Sequence, residues 1–185
     1  MSTAKTLLTA DDLLQMSTIE NKGRRLELVK GELIEMAPAG GRHGRVSMRA
    51  GSRLNTFVEQ NDLGEVFAAE TGFRLARDPD TVRAPDVAFV AKDRLPAGDL
   101  PIGFPDLVPD LVVEVISPGT SAAEMQAKVE TWLRAGVPLV WVFYPGTRSV
   151  AVYRGWQDAQ ILTDQDVLSG DPVLPGFSCP VKELF

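Results

Sequence analysis

Two carboxylates stand in stretches of sequence that otherwise predict buried β-strands. Asp86 precedes the apolar run VAFVA, and Glu114 interrupts the run LVVEVI, whose other residues are all apolar. An unpaired carboxylate in such surroundings costs several kcal/mol or stays protonated. Each acid therefore needs an arginine partner, which Arg74 or Arg83 could supply, a position at the open edge of a sheet, or a cation.

The two acids lie on separate predicted strands, and they could reach one point because neighbouring strands are about 4.8 Å apart. Carboxylates that close repel each other unless a divalent cation lies between them. That arrangement suits phosphodiester hydrolysis, because the cation polarises a phosphoryl oxygen, activates an attacking water and stabilises the leaving oxygen. A lysine nearby would orient or deprotonate the water.

The ligand types in the sequence restrict which cation this would be. Cys179 is the only cysteine and His43 the only histidine, so a zinc site of the Cys/His type is excluded. Oxygen ligands favour magnesium, manganese or calcium.

The elements that must position these residues begin with a helix, a hairpin and a second helix. The stretch TADDLLQM predicts a short helix capped by Thr9. RRLELVKGELIEMAP alternates apolar and charged residues about the turn pair Lys30-Gly31, which predicts a β-hairpin. In the stretch from residue 40 to 62, apolar residues recur at helical spacing. They are Val46, Ala50, Leu54 and Phe57.

The rest of the chain predicts strands with one crossover helix. Residues 64–78 and 81–91 predict two strands joined by the turn DPDT, and a Pro/Gly-rich loop then leads to the strand DLVVEVI. A helix from about Ser121 to Arg134 ends at Gly136, and the strands VPLVWVFYP and SVAVYR follow. A crossover helix between strands implies a mixed sheet flanked by helices, so the predicted fold class is α/β.

The composition is that of an ordinary soluble globular protein, with 44% hydrophobic and 24% charged residues in a chain of 185. This length predicts a single domain over 1–185, with an N-terminal helix and hairpin (1–40), a core (41–145) and a C-terminal strand and tail (146–185). No run reaches the roughly 18–20 apolar residues that a membrane span needs. Two aspartates, Asp11 and Asp12, occupy the place of a signal peptide's apolar centre, which predicts a cytoplasmic location.

Positive charge is concentrated in one part of this acidic chain. The net charge is −6, yet the segment from Lys22 to Arg53 carries +5 and the remainder −11. A local basic patch can bind phosphate even on an acidic protein, although a solvated face is the alternative. Four arginines form a row on the second predicted helix and are predicted to follow a nucleic-acid backbone. They are Arg42, Arg45, Arg49 and Arg53.

Several ordered blocks give the chain a family resemblance. APDVAFV, PDLVVEVISP and KVETWLRAGVPLVWVFYP, together with LTADDLL, RLELVKGELIEM, GGRHGRV and LPGFSCPVKELF, cover nearly the whole sequence. They resemble the Uma-two family of restriction-endonuclease-like proteins, within the PD-(D/E)xK nuclease superfamily. The resemblance implies a nuclease core of mixed sheet and helices, with Mg²⁺ as cofactor and Mn²⁺ as a substitute.

The resemblance also implies roles for individual residues. Asp86 is the first acid and Glu114 the second, and the backbone carbonyl of Val115 is a further metal ligand. The chain departs from the superfamily pattern two residues after the glutamate, where Ile116 replaces the expected lysine. Lys128, in the following helix, matches the family's replacement, and its stem reaches about 6 Å from the backbone.

For three of these residues a structural alternative stays open. Lys128 stands four residues after Glu124, in the orientation of an exposed helical ion pair. His43 matches a family histidine that contacts phosphate or transfers a proton, but a histidine in a glycine-rich loop can also be a simple cap. Glu27 matches a family glutamate and is either a third acid at the rim of the site or a cross-strand partner of a basic residue.

Three functions are compatible with these residues. The first is a metal-dependent DNA endonuclease, acting as a homodimer because cutting both strands of a duplex needs two sites. The second is a catalytically silent nuclease-like domain that binds nucleic acid or a protein partner. The third is a hydrolase of small phosphate esters. No membrane partner is expected.

Overall fold

The computed structural model describes residues 6–19 and 25–185. Residues 22–24 of the predicted basic segment and the first residue of the predicted hairpin therefore lie outside the described residues. The chain divides into two compact units. The hairpin unit comprises the N-terminal part to Pro38 with Glu70–Ala84 and Gly98–Val108; the core unit comprises Ala39–Ala69, Pro85–Ala97 and Pro109–Phe185.

The hairpin unit begins with helix α1, Ala10–Ile19. Thr9 caps it as predicted: its Oγ accepts the Asp12 N–H at 3.2 Å and its own N–H donates to the Asp12 carboxylate at 2.8 Å. Strands β1, Arg25–Val29, and β2, Glu32–Met36, form the predicted hairpin. Lys30 and Gly31 make its turn, with φ of 51° and 76°. Gly31 adopts its value without strain because glycine has no Cβ.

Two further strands complete the sheet of the hairpin unit. They are β4, Phe73–Ala76, and β5, Thr81–Arg83, and the strand order is β2-β1-β5-β4. A small apolar cluster holds α1 against this sheet, since Leu13 packs with Leu28 and Val82, all of them buried.

The core unit contains a mixed sheet between two helices. Its elements are α2 (Gly41–Gln60), β3 (Gly64–Ala68), β6 (Val87–Ala91), β7 (Leu111–Val115), α3 (Ala122–Ala135), β8 (Leu139–Tyr144), β9 (Ser149–Tyr153) and β10 (Ala159–Leu162). The strand order is β10-β9-β8-β7-β6-β3. β7 and β8 pair parallel, whereas the other neighbours in this sheet pair antiparallel. This confirms the predicted α/β class.

The C-terminal part of the core unit consists of short elements. β11, Val167–Ser169, pairs with β12, Ser178–Pro180, and a 3₁₀ turn, Val181–Glu183, follows. Another 3₁₀ turn, Lys92–Arg94, follows β6. Cys179 is buried in the core.

The two faces of β7 are covered by different helices. Leu111, Val113 and Val115 belong to the apolar cluster that includes Val46 and Leu54 of α2. Burial of each such side chain contributes about 1.5–3 kcal/mol. Side chains alternate along a strand, so Glu114 points to the opposite face, the one bordered by α3.

Helix α3 has strong local signals at both ends. Ser121 and Glu124 form a reciprocal capping box, in which the Ser121 side chain accepts the Glu124 N–H at 3.1 Å. Gly136 ends the helix with φ of 96°, in the left-handed region. These signals explain why the predicted helix matches the observed one to within a residue or two.

The prediction of two long strands over residues 64–78 and 81–91 was wrong. Each of these stretches divides in two: β3 and β6 belong to the core unit, whereas β4 and β5 belong to the hairpin unit. The first stretch breaks at Glu70, with φ of 73°. The second breaks at Pro85, because proline has no N–H for a strand ladder. As a result, Asp86 lies directly before β6.

The division into 1–40, 41–145 and 146–185 stays a prediction. Within the two described ranges, no helix is long and apolar enough to span a bilayer.

Candidate active site

Asp86 and Glu114 lie at the adjoining ends of β6 and β7. Val87 faces Val113 in the strand register, so Asp86 comes directly before one of these paired residues and Glu114 directly after the other. The Asp86 N–H donates to the Val113 carbonyl at 3.0 Å, one residue out of that register, which holds Asp86 beside this end of β7. The pairing of the two strands therefore brings the two acids to one end of the sheet.

Asp86 is buried, and its carboxylate contacts a backbone N–H of β7 and a side chain of α2. Its Oδ2 accepts the Val115 N–H at 2.8 Å and lies 3.1 Å from His43 Nε2. Burial alone raises the pKa of Asp86. The hydrogen bond and charge of His43, then the Val115 N–H and the Lys128 charge, outweigh burial and lower that pKa below its usual 3.8. Asp86 is therefore ionised at neutral pH.

Glu114, which is 2% exposed, contacts two side chains of α3. Its Oε2 accepts a hydrogen bond from Lys128 Nζ at 2.7 Å, and its Oε1 accepts one from Trp132 Nε1 at 2.8 Å. The arginines considered as alternative partners pair elsewhere, Arg83 with Glu27 and Arg74 with Asp106.

Lys128 and Trp132 approach Glu114 together because they lie four residues apart on one face of α3. Glu124, the alternative partner of Lys128, serves in the capping box. Trp132 was not among the residues predicted from the sequence. Its spacing from Lys128 was the available signal, but only the rotation of α3 against the sheet decides which group the indole N–H meets.

A cavity of about 510 Å³ is lined by His43, the residue that contacts Asp86, whereas Asp86 and Glu114 are not among its lining residues. Arg42, Ile116 and Tyr144 are among its lining residues. Burial, followed by the neighbouring Tyr153, raises the pKa of Tyr144, so its hydroxyl stays protonated at neutral pH. The cavity gives His43 access to a ligand in solution.

The predicted arginine row is divided by its contacts. Arg49 donates to the backbone oxygen of Phe185, and Arg53 pairs with Glu183 at 2.7 Å. Arg42 and Arg45 instead line a second cavity beside the first. Arg53 lines a separate cavity of about 300 Å³, so only the N-terminal half of the row faces the space next to the His43 cavity.

Glu27 belongs to the hairpin unit. It accepts a hydrogen bond from Arg83 Nη1 at 2.5 Å and another from the Ala84 N–H at 3.1 Å, and it is 1% exposed. This geometry matches the alternative in which Glu27 partners a basic residue.

The donor atoms near Asp86 suit a hard divalent cation. Carboxylate oxygens of Asp86 and Glu114 and the backbone carbonyl of Val115 are the oxygen ligands that Mg²⁺ and Mn²⁺ prefer. Within the described residues, no group of three or more His, Cys, Asp or Glu side chains could hold a metal ion. Mg²⁺ is commonly held by one or two carboxylates with waters and substrate phosphates, so this smaller donor set fits it.

Comparisons with known proteins identify a family and a similar fold. The family Uma2, described as "Putative restriction endonuclease", matches residues 10–182. The fold is similar to the crystal structure of "a putative nuclease belonging to DUF820" from Anabaena variabilis, with a TM-score of 0.80 and 20% sequence identity. That similarity covers 96% of this chain and 97% of the other. No curated protein matches the chain.

Proposed function

Because the chain belongs to the Uma2 family of restriction-endonuclease-like proteins, we propose that it is a metal-dependent endonuclease that hydrolyses phosphodiester bonds in DNA in the cytoplasm. One observation carries this proposal: two buried acids lie at the same end of neighbouring strands, and a lysine from the crossover helix contacts the second acid. Two acids and a lysine in this arrangement are seldom needed for folding alone. Phosphodiester hydrolysis, by contrast, uses all three groups.

Asp86, Glu114 and the carbonyl of Val115 would hold Mg²⁺, or Mn²⁺ in its place. Such a cation, when bound, polarises the phosphoryl oxygen and makes a bound water more acidic. The lowered pKa of Asp86 keeps its carboxylate ionised and available as a ligand at neutral pH.

The other side chains orient the acids and the reacting groups. Lys128 Nζ, within hydrogen-bond distance of Glu114, would orient the attacking water and offset negative charge developing on the phosphate. Trp132 fixes the other oxygen of Glu114. His43 holds Asp86 from the side of the larger cavity, where it would also meet the phosphate.

Calorimetric titration with Mn²⁺ tests the ligand assignment without requiring turnover. We expect a binding site in the wild type that is lost in Asp86→Ala. Asp158→Ala, which removes an exposed acid of the same unit, serves as the control and should titrate like the wild type. Equal titration of wild type and Asp86→Ala would show that Asp86 is not a ligand.

Turnover is tested by incubating supercoiled plasmid with the protein and Mg²⁺. We expect nicking by the wild type and not by Lys128→Ala. A chromogenic phosphodiester run in parallel distinguishes the substrate: cleavage of that compound without nicking of plasmid would favour a small phosphate-ester hydrolase.

A catalytically silent nucleic-acid-binding domain is the second candidate. It is favoured by the contacts of the acids, since His43 lies beside Asp86 and Lys128 beside Glu114, so that each acid has a side-chain partner without a metal ion. Plasmid binding without any nicking above the Lys128→Ala background would support this candidate over the endonuclease.

For double-strand cleavage we propose a symmetric homodimer, because two sites are then related by the symmetry of the duplex. Sedimentation equilibrium should give twice the mass of the chain. A monomer mass at micromolar concentration would limit the protein to nicking single strands.

A further inference from the structure

Arg42 lines two adjoining cavities of the core unit. The larger, about 510 Å³, contains His43 of the carboxylate cluster. The smaller, about 290 Å³, lies beyond it and shares Arg42, Pro145 and Gly146 with the first. A chain-like ligand that enters the first cavity can therefore continue into the second.

The lining of the smaller cavity is strongly basic. Its charged side chains are three arginines, Arg42, Arg45 and Arg148, and no Asp or Glu side chain is among the lining residues. Arg42 and Arg45 are exposed, and neither forms an ion pair with any residue that the structure describes. Three like charges around one space repel each other, so an anion there would be stabilised.

Arg148 is held in place and only weakly neutralised. Its Nη2 donates to the Lys182 carbonyl at 3.3 Å, and its guanidinium lies 5.8 Å from the centre of the Phe185 ring. Asp164 is 3.8 Å from its Nε, and both side chains are more than two-fifths exposed. An ion pair of that length and exposure contributes little, so most of the Arg148 charge remains effective.

The C-terminal half of the arginine row builds the wall of this cavity. Arg49 donates to the backbone oxygen of Phe185, and Arg53 pairs with Glu183 of the last 3₁₀ turn. Phe185, which lines the cavity, is thereby fixed and is only 7% exposed. The four arginines of α2 thus divide into two that face the cavity and two that secure its wall.

We propose that the Arg42/Arg45/Arg148 cavity binds a phosphate of the nucleic-acid backbone flanking the one to be cleaved. The inference rests on the proposed function, because it takes the scissile phosphate to lie at Asp86 and Glu114. The planar guanidinium group matches phosphate oxygens with paired hydrogen bonds. Arg42, common to both cavities, would contact the backbone between the two phosphates. A site of this kind fixes the position of the strand without reading its bases.

Equilibrium binding of a fluorescein-labelled duplex, measured by anisotropy with a chelator present, tests the site without turnover. The variants are Arg45→Gln and Arg148→Gln. Arg134→Gln removes the same charge from an exposed arginine that pairs within α3 with Glu130, and it serves as the matched control. Circular dichroism melting verifies that each variant is folded.

We expect each cavity variant to bind roughly 5- to 10-fold more weakly at about 0.1 M salt, with the slope of log K against log salt reduced by about one. The control should keep the wild-type slope. Arg45→Lys should restore the slope, because it restores the charge. Two duplexes of unrelated sequence should lose affinity equally.

Wild-type affinity and slope in both Arg45→Gln and Arg148→Gln would overturn the cavity as a phosphate site and leave the proposed nuclease intact. A wild type that binds no duplex at any salt concentration would overturn both. Losses equal to those of Arg134→Gln would mean that only net charge matters, and would also overturn the site.

Discussion

Two buried glutamates of this protein, Glu27 and Glu114, have similar surroundings and different partners. Both lie on strands and both are almost fully buried. In the hairpin unit, Glu27 meets Arg83 and a backbone N–H. In the core unit, Glu114 meets Lys128 and the indole N–H of Trp132.

The two basic partners, Arg83 and Lys128, differ in their chemistry. An arginine stays protonated at any physiological pH, and its paired donors hold a carboxylate in a fixed geometry. A lysine has a compact ammonium on a flexible stem and can give up its proton in a suitable environment. Glu114 also lies at the same end of the sheet as Asp86. The type of cation and the nearby second acid, rather than burial, therefore distinguish the candidate catalytic acid.

The largest effect is expected on catalysis. Lys128→Ala should reduce the rate of plasmid nicking by about 10²- to 10⁴-fold, because on the proposed mechanism it removes the group that orients the attacking water. Arg83→Lys, in the other pair, should reduce the nicking rate far less. This comparison requires that the variant is first shown to be folded. Equal losses from the two variants would remove the contrast between the pairs.

The next effect concerns stability. Arg83→Met leaves the buried Glu27 carboxylate without its cation and should lower the free energy of unfolding by about 3–5 kcal/mol in urea denaturation. The double variant Glu27→Leu/Arg83→Met should recover most of that loss, because no charge is then left buried without a partner. A double variant as unstable as the single one would argue that the pair does more than neutralise charge.

A smaller effect should follow from Trp132→Phe, which keeps an aromatic ring and removes the N–H that reaches Glu114. We expect Mn²⁺ to bind about 10- to 100-fold more weakly, as is typical when a group that orients a metal ligand is lost. Trp141→Phe is the matched control, since the Trp141 N–H has no hydrogen-bond partner among the described residues. Equal weakening in both tryptophan variants would indicate a packing effect.

The smallest effect is expected from pH. Because the folded-state pKa of Asp86 is lowered below 3.8, this carboxylate stabilises the fold above the unfolded-state value. That contribution disappears as pH falls through the folded-state value. The stability difference between wild type and Asp86→Asn, measured by urea denaturation in chelator, should therefore be larger at pH 6 than at pH 3. A constant difference would contradict the ionised state.

Local signals made much of the fold predictable. The Lys30-Gly31 turn, the apolar spacing of α2 and the Ser121 cap each determine an element within a few residues of sequence. Residues 64–78 carry no such signal between β3 and β4, and the partition of those strands between two sheets depends on pairing with distant residues.

The two acids of the candidate site could be identified from the sequence, whereas the contacts that they make could not. A carboxylate in an apolar run is visible in sequence, which is how Asp86 and Glu114 were found. The approach of His43 to Asp86 and of Trp132 to Glu114 depends on how α2 and α3 are rotated against the sheet. Arg148 could not be assigned to a phosphate site from the sequence, because only the turn after β8 places it beside Arg42 and Arg45.

The parallel pairing of β7 and β8 has a consequence for how Glu114 acquires its cation. Parallel neighbours cannot be joined by a tight turn, so the connecting segment must pass over one side of the sheet, and here that segment is α3. The ammonium group of Lys128 therefore reaches Glu114 from the covering helix, while the strand end itself carries the apolar Ile116. The crossover that the topology demands thus also delivers the counter-charge.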